Sequence, residues 1–208
     1  MKGSFEPMKA MMKCLAVGAM TAALGAGAAH AGPFGVRMGA PISSLPGAKA
    51  GKTVGEVTVY GLETVPNPNP EFESYVVTAS AKTGICKIAG IGKDHSNDND
   101  GAKVRDAFEE LATILDQKYG PSKSYDFLHA GALWDGPSEY AMSLRQEERT
   151  LSRFWMPELK SNLPDDIATI VLEAEATDRA TTYIALRYEL ANFEACSALA
   201  NKAKEAGL

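Results

Sequence analysis

Apolar and polar residues alternate most cleanly between Ile167 and Leu190, in the stretch IATIVLEAEATDRATTYIALRYEL. Ile170, Leu172, Ala174 and Ala176 are apolar at every second position, and Ile184, Leu186, Tyr188 and Leu190 repeat the pattern after a turn. A period of two marks a half-buried strand, so the stretch predicts an antiparallel hairpin. Its other face carries Thr169, Glu173, Glu175, Arg187 and Glu189, and is expected to meet water or the end of a covering helix. The pattern also fixes the register. Both apolar sets are even-numbered, so facing residues must have numbers with an even sum, and the loop must hold an odd number of residues. A slip by one would turn every side chain over. A loop of Asp178 to Ala180 or of Thr177 to Thr181 satisfies this; with the shorter, Leu172 faces Leu186 and Val171 faces Arg187.

A lone hairpin is marginal in water, so the rest of the chain must supply more strands and a cover. Val54 to Val65 is β-branched and alternating, and reads as a strand stopped by Pro66-Asn67-Pro68-Asn69-Pro70. Phe72 to Ser80 is the next strand, with Tyr75, Val77 and Ala79 on one face. Ile85 to Ile91 returns after a turn at Lys82-Thr83-Gly84. On that strand alternation puts Ile85, Lys87, Ala89 and Ile91 on one face, and Cys86 and Ile88 on the other; Gly90 and Gly92 mark a bulge or a close backbone approach. Ala102 to Tyr119 has the strongest helical period, with Val104, Phe108, Leu111, Leu115 and Tyr119 in one stripe. Asp100 is a natural cap at its start, and Gly120-Pro121 ends it. Ser122 to Gly136 is apolar without a clear period. Ser138 to Arg149 predicts a helix, and Thr150 to Met156 a strand with Leu151, Arg153 and Trp155 on one side. Phe193 to Ala206 predicts a last helix, capped by Asn192.

Together these elements predict an α+β fold: an antiparallel sheet, or two related sheets, with helices packed on one face. Each half reads short helix, three strands, helix. That order suggests a helix-β-β-β-helix pseudo-duplication with halves 32–120 and 121–208, although no residue string repeats.

The first 31 residues read differently. Lys2, Lys9 and Lys13 make a basic start, Cys14 to Ala29 is uncharged and rich in Ala and Gly, and Ala29-His30-Ala31 places small residues around one position. This is the pattern of a secretory signal peptide cleaved between Ala31 and Gly32. It predicts a periplasmic or secreted protein whose mature chain, 32–208, is a single domain without a transmembrane segment. Three lysines and one glutamate would leave with the leader, taking the formal net charge from −5 to −7. Such an acidic chain has no electrostatic footprint for nucleic acid and favours a basic protein partner. Two cysteines remain, Cys86 and Cys196. In an oxidising compartment they predict one disulfide, bracing a strand of the first half to the last helix.

The opening of the mature chain, Phe34-Gly35-Val36-Arg37-Met38-Gly39 followed by Ile42 and Leu45, resembles that of certain secreted bacterial proteins of unassigned function. More distantly it is similar to small envelope domains of the outer-membrane assembly lipoprotein and beta-lactamase inhibitor protein type. That resemblance implies a short helix pair on an antiparallel sheet and a role in binding other proteins. It carries no functional residues across, and the chain lacks the lipidated cysteine of the assembly lipoproteins.

Candidate chemistry is sparse. In Ser96-Asn97-Asp98-Asn99-Asp100-Gly101, Asp98 and Asp100 stand where a calcium loop has ligands. Ser96 and Ala107, however, occupy the positions of its first acid and its bidentate glutamate. A polar loop leading into a helix cap accounts for the same residues. Ala89-Gly90-Ile91-Gly92-Lys93 lacks the spacing of a phosphate loop, and no cofactor motif is present. After the leader, His95 and His129 are the only histidines, with no local ligand partner, so no metal site is expected. There is no Gly-x-Ser-x-Gly elbow. Glu173 and Glu175 point the same way on one strand, about 7 Å apart, a spacing that glycosidases use. On the outer side of a hairpin such residues more often pair across strands, here with Arg187. Trp134, Trp155, Tyr125 and Tyr140 would make a ligand groove if they met, although aromatics at this density more often build core. The expected function is that of an exported, non-enzymatic binding protein, an inhibitor or envelope accessory factor; the alternative is a hydrolase whose site gathers scattered carboxylates.

Overall fold

The computed structural model describes residues 32–205. Residues 1–31, which hold the expected leader, lie outside them. The fold is α+β. All strands belong to one sheet, ordered β1-β2-β3-β4-β9-β8-β7-β6, and every pairing is antiparallel. The strands are β1 (Lys49–Val54), β2 (Val57–Leu62), β3 (Phe72–Ser80), β4 (Gly84–Gly92), the two-residue β5 (His95–Ser96), β6 (Lys123–Leu128), β7 (Arg149–Trp155), β8 (Ile167–Ala176) and β9 (Thr181–Leu190). The helices are α1 (Ala102–Tyr119), α2 (Tyr140–Arg145) and α3 (Phe193–Glu205). Two meanders, β1 to β4 and β6 to β9, meet at the β4–β9 pair. The expected three strands per half are thus four, and the strand order is palindromic about that seam.

The β8–β9 hairpin has the register its alternation dictates. Leu172 faces Leu186, Val171 faces Arg187, and Thr177 N–H donates to Thr181 O around a loop of Asp178 to Ala180. Its even-numbered side chains join Tyr75, Val77 and Ala79 of β3, Leu151 and Trp155 of β7, and the α1 stripe in one core. Asp116 of α1 anchors the helix over the second half of the sheet. It accepts from Trp155 Nε1 at 3.0 Å, Ser122 Oγ at 2.6 Å and Arg153 Nη1 at 2.9 Å.

α1 and α2 cover this core face, in contact with β7, β8 and β9, but α3 does not. The expectation that all helices lie on one face is corrected by a bulge in β4. Pairing with β3 steps from Thr78↔Lys87 to Ala79↔Ile85, so Cys86 is an extra residue. The bulge returns Ile85 to the core beside Ile88 and turns Cys86 to the side of Lys87, reversing the alternation expected for that strand. There Cys86 is paired with Cys196 of α3, with Cα atoms 6.4 Å apart. Val57, Phe193, Leu199 and Ala200 pack around them in a separate cluster. α3 is therefore fixed to the second face of the sheet, over β1, β2 and β4. Because α1 and α3 take opposite faces, the helices break the symmetry that the strand order suggests.

Phe34, near the start of the described chain, packs edge-on against Phe72, Tyr75 and Tyr188. Gly39 N–H donates to Ile85 O and Ile85 N–H donates to Ala40 O, so the opening string is stitched to β4. Its glycines Gly35 and Gly39 hold φ of 76° and 72°, a region that side chains disfavour. Of the opening string, Val36 is buried and Phe34 packs against the core, while Arg37 and Met38 are exposed.

Candidate functional site

Among the described residues, the bulge and the disulfide leave one surface without a covering helix: the second face of the sheet over its β6–β9 half. Its residues are the odd-numbered positions of the hairpin and their neighbours in register. One row runs Ala89, Arg187, Val171, Phe154, Lys123, and the next runs Ile91, Ala185, Glu173, Ser152, Tyr125. Tyr125 and Phe154 meet edge-to-face at 5.6 Å, and Lys123 lies 4.9 Å from the Tyr125 ring. At the rim Phe127 is exposed and His129 stacks against it while sharing a hydrogen bond with Thr150 Oγ1.

Charged groups lie in the middle of this face. Arg187 meets Glu173 as an ion pair and donates to Glu175 at 2.7 Å. Beside them Lys87 donates to Glu189 at 3.0 Å and sits 5.1 Å from the Phe193 ring, where the α3 cover ends. All five groups are roughly a quarter to a third exposed, the range in which an ion pair is neither screened away nor stranded in a dry interior. Burial, then the nearby Glu147, pushes the Glu175 carboxyl above its ordinary value. A depression of about 280 Å³ opens beside these carboxylates, bounded by His129, Glu147, Thr150 and Ser152. Glu173 and Glu175 are thus paired with Arg187, as cross-strand residues on such a face should be. A pair that divides one cation between two acids leaves neither carboxylate as a free base.

The other sequence candidates do not converge. Asp98 is buried and accepts from Lys103 N–H at 2.8 Å, Val104 N–H at 3.0 Å and Thr182 Oγ1 at 2.6 Å, so it caps α1 and ties it to β9. Asp100 accepts from Ala102 N–H at 3.2 Å. Both carboxylates turn toward the helix start, and no cluster of metal-ligating side chains occurs among the described residues. Gly101, the residue before α1, has φ of 70°, and a Cβ there would stand 2.0 Å from the Tyr140 ring. That ring lies between the Arg105 and Arg149 guanidinia, and burial pushes its hydroxyl up to about 12. Gly90 approaches Phe72 so closely that a Cβ would lie 2.7 Å from its ring, the close contact expected of a glycine in a strand. Of the four aromatics, Trp155 and Tyr140, the first residue of α2, are core, Trp134 is in the loop after β6, and Tyr125 is on the open face, so they form no common groove. Sequence reasoning missed a cleft of about 640 Å³ between α1, the Pro66–Pro70 loop and the start of the described chain. It is mainly apolar, with Lys118 and Asp166 among its lining residues. It arises from loop packing, which no local periodicity records.

Comparison of the chain with protein-family models, with curated proteins and with solved structures finds no match. No helix among the described residues is long and apolar enough to cross a membrane.

Proposed function

We propose that the chain is an exported, non-enzymatic binding protein, an inhibitor or envelope accessory factor, that grips another protein with the open face over β6–β9. The observation that carries this reading is the asymmetry of cover. One half of the second face has a disulfide-anchored helix; the other, in the same sheet, presents Tyr125, Phe127, Phe154 and Tyr183 around an ion-paired centre with no helix above it among the described residues. Aromatic residues with one polar end are the side chains that anchor protein interfaces. The net charge of −7 expected after leader removal favours a basic partner by long-range attraction. The leader pattern and the paired cysteines favour a periplasmic or secreted location.

The test is affinity capture from envelope fraction and culture fluid with three baits: the parent chain, Phe154→Glu with Tyr183→Glu on the open face, and Ile114→Ser on the exposed side of α1. The expected result is a partner retained by the parent and by the α1 variant and lost by the open-face variant. A partner retained equally by all three, or turnover in a hydrolase substrate screen with no partner recovered, would reverse the reading.

A further inference from the structure

The sheet has two free edges, and they are finished differently. β1 is blunted: its register on β2 shifts between Ala50 and Thr53, it contains Gly51, and it carries Lys49 and Lys52. Bulges and lysines are the usual means by which edge strands refuse further pairing. β6 carries one lysine, Lys123, and one acid, Asp126, but has neither bulge nor glycine. It keeps unbroken register on β7 along its whole length and makes no backbone hydrogen bond to any other described residue. Its outward N–H and C=O groups form a template for another strand. Phe127 on it is 44% exposed, and Leu133, in the loop that follows, 82%.

We propose that β6 pairs with β6 of a second copy, antiparallel about a twofold axis, so that two sheets join into one. The strand's own residues select the register. Lys123, Tyr125 and Phe127 share one face, Ser124 and Asp126 the other, and the two copies must keep these faces aligned. Centred on Tyr125, the pairing sets Lys123 against the second copy's Phe127, a cation over a ring, and Ser124 against its Asp126, a hydroxyl on a carboxylate. Centred on Asp126, it would set two carboxylates face to face, and centred on Ser124 it would shorten the overlap. The Tyr125 register therefore overlaps Lys123 to Phe127, as long a stretch as the Asp126 register allows, without opposing like charges. It also lays the open faces of the two copies side by side as one continuous surface. The dimer does not depend on what that surface binds.

The test uses the full chain in oxidising buffer, with Cys14→Ala throughout so that no leader thiol interferes. Sedimentation equilibrium from micromolar to millimolar concentration should show a reversible dimer. Phe127→Lys, which opposes Lys123, should raise its dissociation constant at least about tenfold, and adding Lys123→Glu should restore it. On mild oxidation Tyr125→Cys should cross-link to its own copy and Asp126→Cys should not. A monomer at every concentration would overturn the proposal, whether the edge were idle or reserved for a strand of another protein. So would equal cross-linking by the two cysteine variants, or failure of the charge reversal to rescue. The cross-linking contrast decides even if Phe127→Lys does not fold.

Discussion

The two halves of the sheet leave the core on the same side but end in different ways. Over β1–β4, the second face continues into a small apolar cluster closed by α3 and by the Cys86–Cys196 bridge. Over β6–β9, it ends in the Glu173–Arg187–Glu175 group and a row of aromatics with no described element above them. The first half obtains its cover from a covalent link, the second from charges that tolerate partial exposure. Among the described residues that half of the face is held half-buried without a lid. The most severe way to break this contrast is to remove the covalent cover. Replacing Cys86 and Cys196 by Ala should cost roughly 2–5 kcal/mol, because the bridge closes a loop spanning 110 residues of sequence. Urea denaturation measures the loss. Hydrogen exchange should show α3 amides losing protection first while the β8–β9 ladder keeps its own. Equal loss in both halves would mean that the two covers are one cooperative unit.

How much of this was legible in the sequence follows from the range of the forces involved. α1 and the β8–β9 hairpin declare themselves because their burial is one-sided and periodic, and the period survives in the order of residues. β1 is not legible as a strand of its own because nearly all its side chains are exposed, and KAGKTV has no apolar alternation to show. β6 is an edge strand whose outer residues need satisfy only one neighbour, so its pattern is equally faint. α2 is shorter than its helix-forming residues imply, because Gln146 ends it and Glu147 takes a positive φ where the chain turns into β7. The cysteine pairing was legible by elimination. The face on which α3 sits was not, since one inserted residue in β4 decides it. The candidate site inherits this limit: its paired glutamates and Arg187 are in the sequence, but its openness depends on where α3 went.

The ionic centre of the open half offers the next test. Arg187→Met removes the cation that Glu173 and Glu175 share and leaves two carboxylates partly out of water. Breaking a fully buried pair costs several kcal/mol and an exposed one almost nothing. With side chains a quarter to a third exposed, the expected loss is about 2 kcal/mol, read from the urea midpoint at neutral pH. It should shrink in acid, where protonated carboxylates no longer need the guanidinium. A loss independent of pH would assign the effect to packing of the arginine stem and weaken the account of this half as held by charge.

The finest discrimination comes from Glu175 alone. Burial, then Glu147, holds its folded-state pKa above the unfolded value of 4.5, so the folded protein binds this proton more tightly than the unfolded chain does. The stability that follows is fully present below the unfolded pKa and is lost as pH rises through the folded one. Relative to Glu175→Gln, which does not titrate, the parent should therefore grow less stable between about pH 4 and neutrality, by less than about 1 kcal/mol for a group this exposed. Parallel urea curves for the two proteins across that range would show it. The opposite slope would mean that Arg187 serves Glu175 in preference to Glu173, so that the ion pair stabilises the charged form. Glu173 would then be the carboxylate with the weaker claim on the arginine, and the group on the open face most ready to receive a basic side chain from a partner.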